Sequence, residues 1–187
     1  MDRVKRIKNK LKENLSKGRY LHCVRVAEEA KLLAHVYKED EENAYMAGLL
    51  HDVAKEFSLE ENKKWVKKYN LSSDWLNSKN IKIVHAEIGW IVAKEVYGVN
   101  EEIAQAIRYH TIGNVNMTLF DKIIFMADKI ESGREDVKYL KVLAYQDVDK
   151  AMIRFLHENK IRLERKGKVF HEETERLLNR LVSNTRN

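Results

Sequence analysis

Residues 47–56 read AGLLHDVAKE, in which His51 and Asp52 follow a run of small and apolar residues. A histidine–aspartate dipeptide alone is a weak signal. Its apolar setting matters more, because an ionised side chain buried without a partner is costly. Four further side chains of the same two types lie in or at the ends of predicted helices: His22, His85, His110 and Asp128. Together these residues predict a metal or catalytic site built on a helical scaffold.

The composition favours helices. The chain has 187 residues, of which 44% are hydrophobic and 34% charged, and it contains no proline and seven glycines. Long helices therefore meet few breakers, and no Asn-Gly or Asp-Gly dipeptide marks a β-hairpin. We expect an all-α helical bundle that forms one domain over residues 1–187, with residues 1–16 as an N-terminal helical extension.

Apolar periodicity and capping residues predict the boundaries of the helices. Ser58 with Glu61, Thr118 with Asp121, and Asn100 are the clearest start signals. The predicted helices cover about 1–16, 19–37, 41–56, 58–69, 81–97, 101–110, 119–131 and 138–166. Residues 70–80 are predicted to form a turn with a short helix, and a last helix is expected within 168–187.

Several classes of protein are excluded or disfavoured. Cys23 is the only cysteine, so neither an internal disulfide nor a cysteine-based zinc cluster is expected. The N-terminus is too polar for a signal peptide, and no apolar run approaches the ~20 residues that span a bilayer. We therefore expect a cytoplasmic protein without a membrane partner. The net charge of +6 favours anionic partners.

The dyad has the chemistry of a metal site. Adjacent residues on a helix point about 100° apart, so His51 and Asp52 can both reach an ion over the helix surface. Neutral nitrogen combined with carboxylate oxygen favours a transition metal over calcium or magnesium. The spacing of these residues matches neither HExxH nor a zinc finger.

Six segments in order resemble the HD-domain symmetrical diadenosine tetraphosphatases, the YqeK-type group: RYLHCVRVAEEA, AGLLHDVAKE, VHAEIGWIVAKEVYG, AIRYHTIG, MADKIESGRE and GKVFHEET. The resemblance covers about 19–178, and HDVAKE, RYHT and ADKIESGR are its most specific strings. It implies the HD fold and metal-dependent hydrolysis of diadenosine tetraphosphate to two ADP. Lys129 and Ser132 depart from the group, where an aromatic residue and a proline are expected.

The resemblance implies a metal centre. Its ligands would be His22, His51, Asp52 and Asp128. The implied cofactor is iron, as one or two ions, with manganese or cobalt as alternatives. His85 and His110 would either hold a second ion or contact phosphate directly, and both options stay open.

The resemblance also implies which residues act on the substrate. The catalytic set would be Asp52, Lys55, His85 and His110. Substrate binding would involve Lys55, His85 and His110 again, together with Arg19, Thr111, Arg134, Phe170, His171 and Thr174. The partner would be a dinucleoside polyphosphate, with ADP or GDP as the product. A homodimer is one option for the oligomeric state. His35 and His157 lack matching partners and are expected to face solvent or serve structure.

Two other functions stay open at this stage. One is a different HD-type nucleotide phosphohydrolase, acting on nucleoside mono- or triphosphates. The other is a non-catalytic helical protein that binds nucleic acid, which the positive charge would suit. However, lysine and arginine are spread over every segment and are not interleaved with aromatic residues in a stripe. Nucleic acid is therefore not the expected partner.

Overall fold

The computed structural model describes residues 3–77 and 80–185, and within these ranges the secondary structure is helical, with no strand. The α-helices are α1 (Arg3–Asn14), α2 (Lys17–Tyr37), α3 (Glu41–Leu50), α4 (Leu59–Lys68), α5 (Val84–Tyr97), α6 (Glu101–Tyr109), α7 (Leu119–Ile130), α8 (Lys138–Gln146), α9 (Val148–Arg165) and α10 (Glu172–Asn184). A short 3₁₀ helix covers Ser73–Leu76. The all-α prediction is confirmed. None of the described helices is long and apolar enough to cross a bilayer.

Helix α7 lies at the centre of the bundle, packed against α2, α3, α6, α8 and α9. Four consecutive residues of this helix, Ile123, Ile124, Phe125 and Met126, point in different directions and are all fully buried. A helix that is buried on most sides in this way occupies a core position. The predicted capping box of Thr118 with Asp121 begins this helix. As a result, Asp128 near its end is held in the middle of the protein.

Helices α2 and α3 approach each other very closely at Gly48. A Cβ atom there would lie 2.7 Å from the Cα of Ala27 and 2.9 Å from the backbone oxygen of Val26. Only glycine fits, because the neighbouring atoms belong to a helix backbone that cannot move aside cheaply. This packing brings His22 of α2 next to His51, with 3.2 Å between their Nε2 atoms.

The third predicted helix was expected to cover 41–56, and this prediction is wrong at its end. Helix α3 ends at Leu50, and residues 51–56 form tight turns. The Nδ1 of His51 lies 2.7 Å from the carbonyl oxygen of Gly48, which a continuing helix would use for the backbone N–H of Asp52. Backbone N–H groups of Val53 and Lys55 instead bond three residues back. The dyad therefore lies on a turn and not on a helix.

The predicted long helix over 138–166 is two helices, so this prediction is also wrong. Asp147 separates α8 from α9 with an extended backbone, φ −158° and ψ 100°. Its carboxylate accepts a hydrogen bond from the backbone N–H of Lys150 at 3.0 Å and so caps α9. Capping by aspartate satisfies an orphan helix N–H and stabilises the break.

The remaining boundaries are close to those predicted. Helix α5 begins at Val84, three residues later than expected, and α10 lies within the expected tail. Three parts of these predictions lie outside the described residues. They are 1–2 at the start of the first predicted helix, 78–79 in the predicted turn over 70–80, and 186–187 at the end of the last predicted segment. The division into one domain with an extension stays a prediction.

Candidate metal centre and active site

Two helices, α2 and α7, and the turn that follows α3 bring the first candidate ligands together. The Nε2 of His22 lies 3.2 Å from the Nε2 of His51 and 3.1 Å from an oxygen of Asp128. The Nε2 of His51 lies 3.3 Å from the Oδ2 of Asp52. All four side chains are buried. Nitrogen and carboxylate donors of these residues therefore lie close together in the core.

The histidine rings are held in defined orientations by their second nitrogen. The Nδ1 of His51 bonds to the carbonyl of Gly48, and the Nδ1 of His110 bonds to the carbonyl of Ile107 at 2.6 Å. Each carbonyl accepts a hydrogen bond from the Nδ1–H of the ring, which leaves the lone pair of Nε2 directed at the centre. Second partners of this kind are typical of histidines that bind metal. The donor set and its orientation therefore fit a divalent transition metal.

Asp52 lies between two pairs of histidines. Its Oδ2 faces His22 and His51, while its Oδ1 lies 3.2 Å from the Nε2 of His85 and 3.5 Å from that of His110. Two ligand groups result, each within reach of one ion: His22, His51 and Asp128, and His51, Asp52 and His110. Asp52 offers one oxygen to each pair of histidines, so these residues could hold either two ions or one ion with a phosphate group beside His85 and His110.

Cationic side chains surround the two buried carboxylates. Arg19 contacts Asp52 at 2.6 Å. Lys129 and Arg134 contact opposite oxygens of Asp128, at 2.5 Å and 2.7 Å. These ion pairs compensate the cost of burying two negative charges. The same cations give the site a positive rim, which suits an anionic substrate.

Lys55 lies at the second histidine pair. Its Nζ is 3.2 Å from the Nε2 of His85 and 3.3 Å from the Nδ1 of that ring. Burial lowers the pKa of Lys55, with the positive charge of Arg19 adding to the effect. The pKa of His85 is lowered as well, by burial and by the neighbouring charge of Lys55. This lysine therefore belongs to the site and is not an ordinary solvated surface residue.

Burial and neighbouring charge set the protonation of the centre. Burial works against ionisation of Asp52, but the adjacent histidines, above all His51 and His110, hold its pKa well below the usual range. Asp128 behaves likewise, with Lys129 and His22 outweighing burial. Burial lowers the pKa of His110 to about 4. The aspartates are therefore ionised and His110 is neutral at pH 7, which is the form that binds a metal.

Two cavities are lined by residues at the centre or next to them in the chain. The first has a volume of about 440 Å³ and is lined by Thr111, which follows His110 directly, and by Trp75, Tyr109, Ile112 and His171 among others. We call it the Thr111 cavity. The second has a volume of about 390 Å³ and includes Lys55 and His85 in its lining, together with Phe57, Asn62 and Ile81. We call it the Asn62 cavity.

The HD-domain family model matches residues 19–133. The chain belongs to the HD-domain family. The matched segment contains every candidate metal ligand, from His22 to Asp128, and both residues of the second histidine pair.

Known relatives indicate which group within the HD-domain family the chain resembles. The chain is 40% identical over 132 residues to the symmetrical bis(5'-nucleosyl)-tetraphosphatase of Staphylococcus aureus, covering 70% of this chain and 68% of the relative. It is 34% identical over 176 residues to the protein of the same name from Bacillus subtilis, covering 92% and 94%. The resemblance to this group is thereby confirmed.

A solved structure supports the HD-domain fold. A crystal structure from Clostridium acetobutylicum, described as a predicted HD superfamily hydrolase involved in NAD metabolism, superposes with a TM-score of 0.90. It is 34% identical and 97% of each chain is covered. The similarity therefore extends beyond the matched domain to the helices that follow residue 133.

The predicted substrate-binding residues Thr111, Phe170, His171 and Thr174 are not all in the same surroundings in this HD-domain structure. Thr111 and His171 line the same cavity. Thr174 is buried, and its hydroxyl donates to the carbonyl of Ile112 at 2.8 Å. Phe170 is half-buried and packs against the core. Thus the predicted C-terminal segment reaches the Thr111 cavity through His171, while Thr174 fastens it to the bundle.

The two histidines set aside in the sequence lie away from the centre. His35 is exposed, and its Nδ1 lies 2.8 Å from a carboxylate oxygen of Glu41. His157 is exposed on α9.

Sequence reasoning did not identify Glu131 as part of this HD-domain site. Its carboxylate is 2% exposed and lies 3.1 Å from the Nδ1 of His22, while Arg25 donates to it at 2.6 Å. It thus holds the ring of His22 as backbone carbonyls hold His51 and His110. A signal was present, because Glu131 follows Asp128 by three residues and so lies one helical turn beyond it.

Proposed function

We propose that this HD-domain protein is a metal-dependent phosphohydrolase that cleaves diadenosine tetraphosphate symmetrically into two ADP. The observation that carries the proposal is the position of Asp52. Its carboxylate joins a metal-binding set to a second histidine pair, inside a rim of cations. The named activity of the relatives from Staphylococcus aureus and Bacillus subtilis supports the choice of substrate.

The proposed metal ligands are His22, His51, Asp52 and Asp128. We propose iron as the resident metal, with manganese or cobalt as alternatives. When bound, such an ion withdraws electron density from phosphoryl oxygens and lowers the pKa of water, two effects that hydrolysis of a phosphoric anhydride requires. Glu131 keeps the ring of His22 in place for this task.

The chain itself supplies the groups that hold the polyphosphate. Arg19, Lys55 and Arg134 line the edge of the centre as cations. A metal ion would take over the neutralisation of the carboxylates, and these cations could then bind phosphate oxygens. Arginine is suited to bidentate contacts with phosphate, and lysine to contact as a point charge. His85 and His110 would steady the phosphate at the point of cleavage.

One adenosine is proposed to occupy the Thr111 cavity. Thr111 follows His110 directly in the chain, so a nucleoside held there lies next to the histidine pair. His171 lines the cavity from the N-cap position of α10, where it also accepts a hydrogen bond from the backbone N–H of Glu173. Phe170 and Thr174 would act by positioning this segment. Positioning of reacting groups can supply several kcal/mol of barrier reduction.

A panel of nucleotides tests the proposal. The metal-loaded protein is incubated with diadenosine tetraphosphate, diguanosine tetraphosphate, ATP, dGTP and AMP, and the products are resolved by chromatography. We expect ADP as the sole nucleotide product from diadenosine tetraphosphate. Turnover of the mono- or triphosphates without action on the dinucleotides would instead assign the protein to another type of HD phosphohydrolase.

A further inference from the structure

The proposed function assigns no part of the substrate to the Asn62 cavity. It shares no lining residue with the Thr111 cavity. Both cavities border the start of α5, one at Ile83 and Ala86 and the other at Val84 and His85. The Asn62 cavity reaches the centre directly, because Lys55 and His85 belong to its lining. The Thr111 cavity is lined instead by Ala86 and Thr111, which directly follow His85 and His110 in the chain. Two separate cavities therefore lie beside the same histidine pair.

The lining of the Asn62 cavity has the chemistry of a nucleotide site. Phe57, Leu59 and Ile81 provide apolar walls, and Lys55 and Lys82 provide positive charge. Pockets for small ligands typically combine apolar walls with a few polar groups that fix orientation. Lys55 also contacts His85, so a positive charge lies where this cavity meets the centre.

Asn62 supplies the polar group. Its side chain is 6% exposed, and its Oδ1 accepts no hydrogen bond from any described residue. Its Nδ2 donates only at 3.5 Å, to the carbonyl of Phe57. A buried amide oxygen without a donor is unfavourable and rare in folded proteins. A ligand with an amino group, such as the exocyclic amine of adenine, would satisfy it.

We infer that the Asn62 cavity binds the second nucleoside of the dinucleotide. Each ADP half then occupies its own cavity, and the phosphate chain runs between them past His85 and His110. A cut at the middle of the chain follows, because the two cavities flank the cleavage point. This inference rests on the proposed function and adds the place of the second nucleoside to it.

The first test compares two substrates in Asn62→Leu. Diadenosine tetraphosphate needs both cavities, whereas adenosine 5'-tetraphosphate has one nucleoside, which can use the Thr111 cavity. We expect kcat/KM for the dinucleotide to fall about tenfold or more, as for loss of one buried hydrogen bond with its packing. For adenosine tetraphosphate we expect a change of about twofold or less, since one of two binding orientations remains. An equal fall for both substrates would overturn the inference.

The controls separate folding from binding. Asn179→Leu makes the same change at an exposed position of α10 and should leave both substrates unaffected. If Asn62→Leu does not fold, judged by circular dichroism, Phe57→Leu makes a smaller change in the wall of the same cavity. It should show the same preferential loss for the dinucleotide.

The second test counts bound product and does not depend on turnover. Calorimetric titration of the metal-loaded protein with ADP should give two ADP per chain, and Asn62→Leu should give one. One ADP per chain in the wild type would refute the inference. A wild type that binds two ADP but does not hydrolyse the dinucleotide would contradict the proposed function and leave the second nucleotide site supported.

Discussion

The Nζ of Lys129 lies 2.5 Å from the Oδ2 of Asp128, on the side of the carboxylate away from the oxygen that faces His22. The same ammonium donates to the carbonyl of His110 at 3.1 Å and lies 4.7 Å from the centre of the Phe125 ring. A cation is thus built into the wall of the metal centre, at a position where the resemblance predicts an aromatic residue. It compensates the buried charge of Asp128 from one oxygen, while the other oxygen faces His22 and Arg134.

This relationship predicts that Lys129→Met destabilises the metal-free protein more than the metal-bound protein. The metal-free variant should lose about 1–3 kcal/mol of unfolding free energy, because a buried carboxylate loses a charged partner. Metal binding should then stabilise the variant more than the wild type, since an ion can replace the lost charge. Melting curves with and without chelator measure both effects. Lys129→Arg, which keeps the charge, is the control. An equal loss of stability in the metal-free and metal-bound proteins would mean that Lys129 contributes through packing and not through its charge.

Removal of the dyad histidine should remove the metal. We expect His51→Ala to lose bound metal and activity together, because His51 belongs to both groups of candidate ligands. Metal analysis of the purified protein gives the readout. His35→Ala changes the same residue type at an exposed position and should keep full metal content. Retention of both metal and activity in His51→Ala would contradict the ligand assignment.

Glu131→Gln should weaken stability in a pH-dependent way. Burial opposes ionisation of Glu131, but Arg25, the backbone N–H of Gly133 and His22 outweigh it and lower the pKa. A carboxylate whose pKa is lower in the folded state stabilises the protein above the unfolded value of 4.5, and this stabilisation is lost as the pH falls through the folded value.

The difference between wild type and Glu131→Gln should therefore be largest near pH 7, at about 1–3 kcal/mol, and shrink toward pH 3. Urea unfolding of the metal-free proteins at several pH values measures it. The exposed Glu135 offers Glu135→Gln as a control with no such trend. A difference that stays constant with pH would assign the effect of Glu131 to packing.

Gly48→Ala should destabilise the protein and disturb the centre. The added methyl would meet the backbone of Ala27 at 2.7 Å, so α2 and α3 must move apart at the point that holds His22 beside His51. A loss of about 1–3 kcal/mol is expected for such overpacking, together with weaker metal binding. Gly18→Ala provides the contrast, because nothing lies within 4 Å of its added methyl. It should be neutral or stabilising by about 0.5–1 kcal/mol.

The site of cleavage can be read from isotope incorporation. Hydrolysis of diadenosine tetraphosphate in ¹⁸O-labelled water should give ADP alone, with the label in its terminal phosphate in half of the molecules, because one of the two halves receives the water oxygen. Mass spectrometry of the products measures this. AMP together with ATP would show an asymmetric cut and refute the proposal.

Local signals in the sequence were sufficient for most of the helices. The capping boxes of Ser58 with Glu61 and Thr118 with Asp121 act over three residues and appear in the structure as predicted. The apolar periodicity is visible over one or two helical turns, and the chain contains no proline to interrupt a helix. They led to the all-α fold, and the order of the motifs led to the family. Periodicity could not reveal the turn after Leu50 or the break at Asp147, because side-chain hydrogen bonds override helix propensity there.

Only the tertiary structure decided how the site is assembled. The sequence marked His22, His51, Asp52 and Asp128 as candidates, but not that the two oxygens of Asp52 face different histidine pairs. Nor could it pair His22 with Glu131, which is 109 residues away. Such contacts depend on how closely whole helices pack, as at Gly48, and packing is a property of the assembled core. Local sequence determines which groups are available, and the folded core determines their distances.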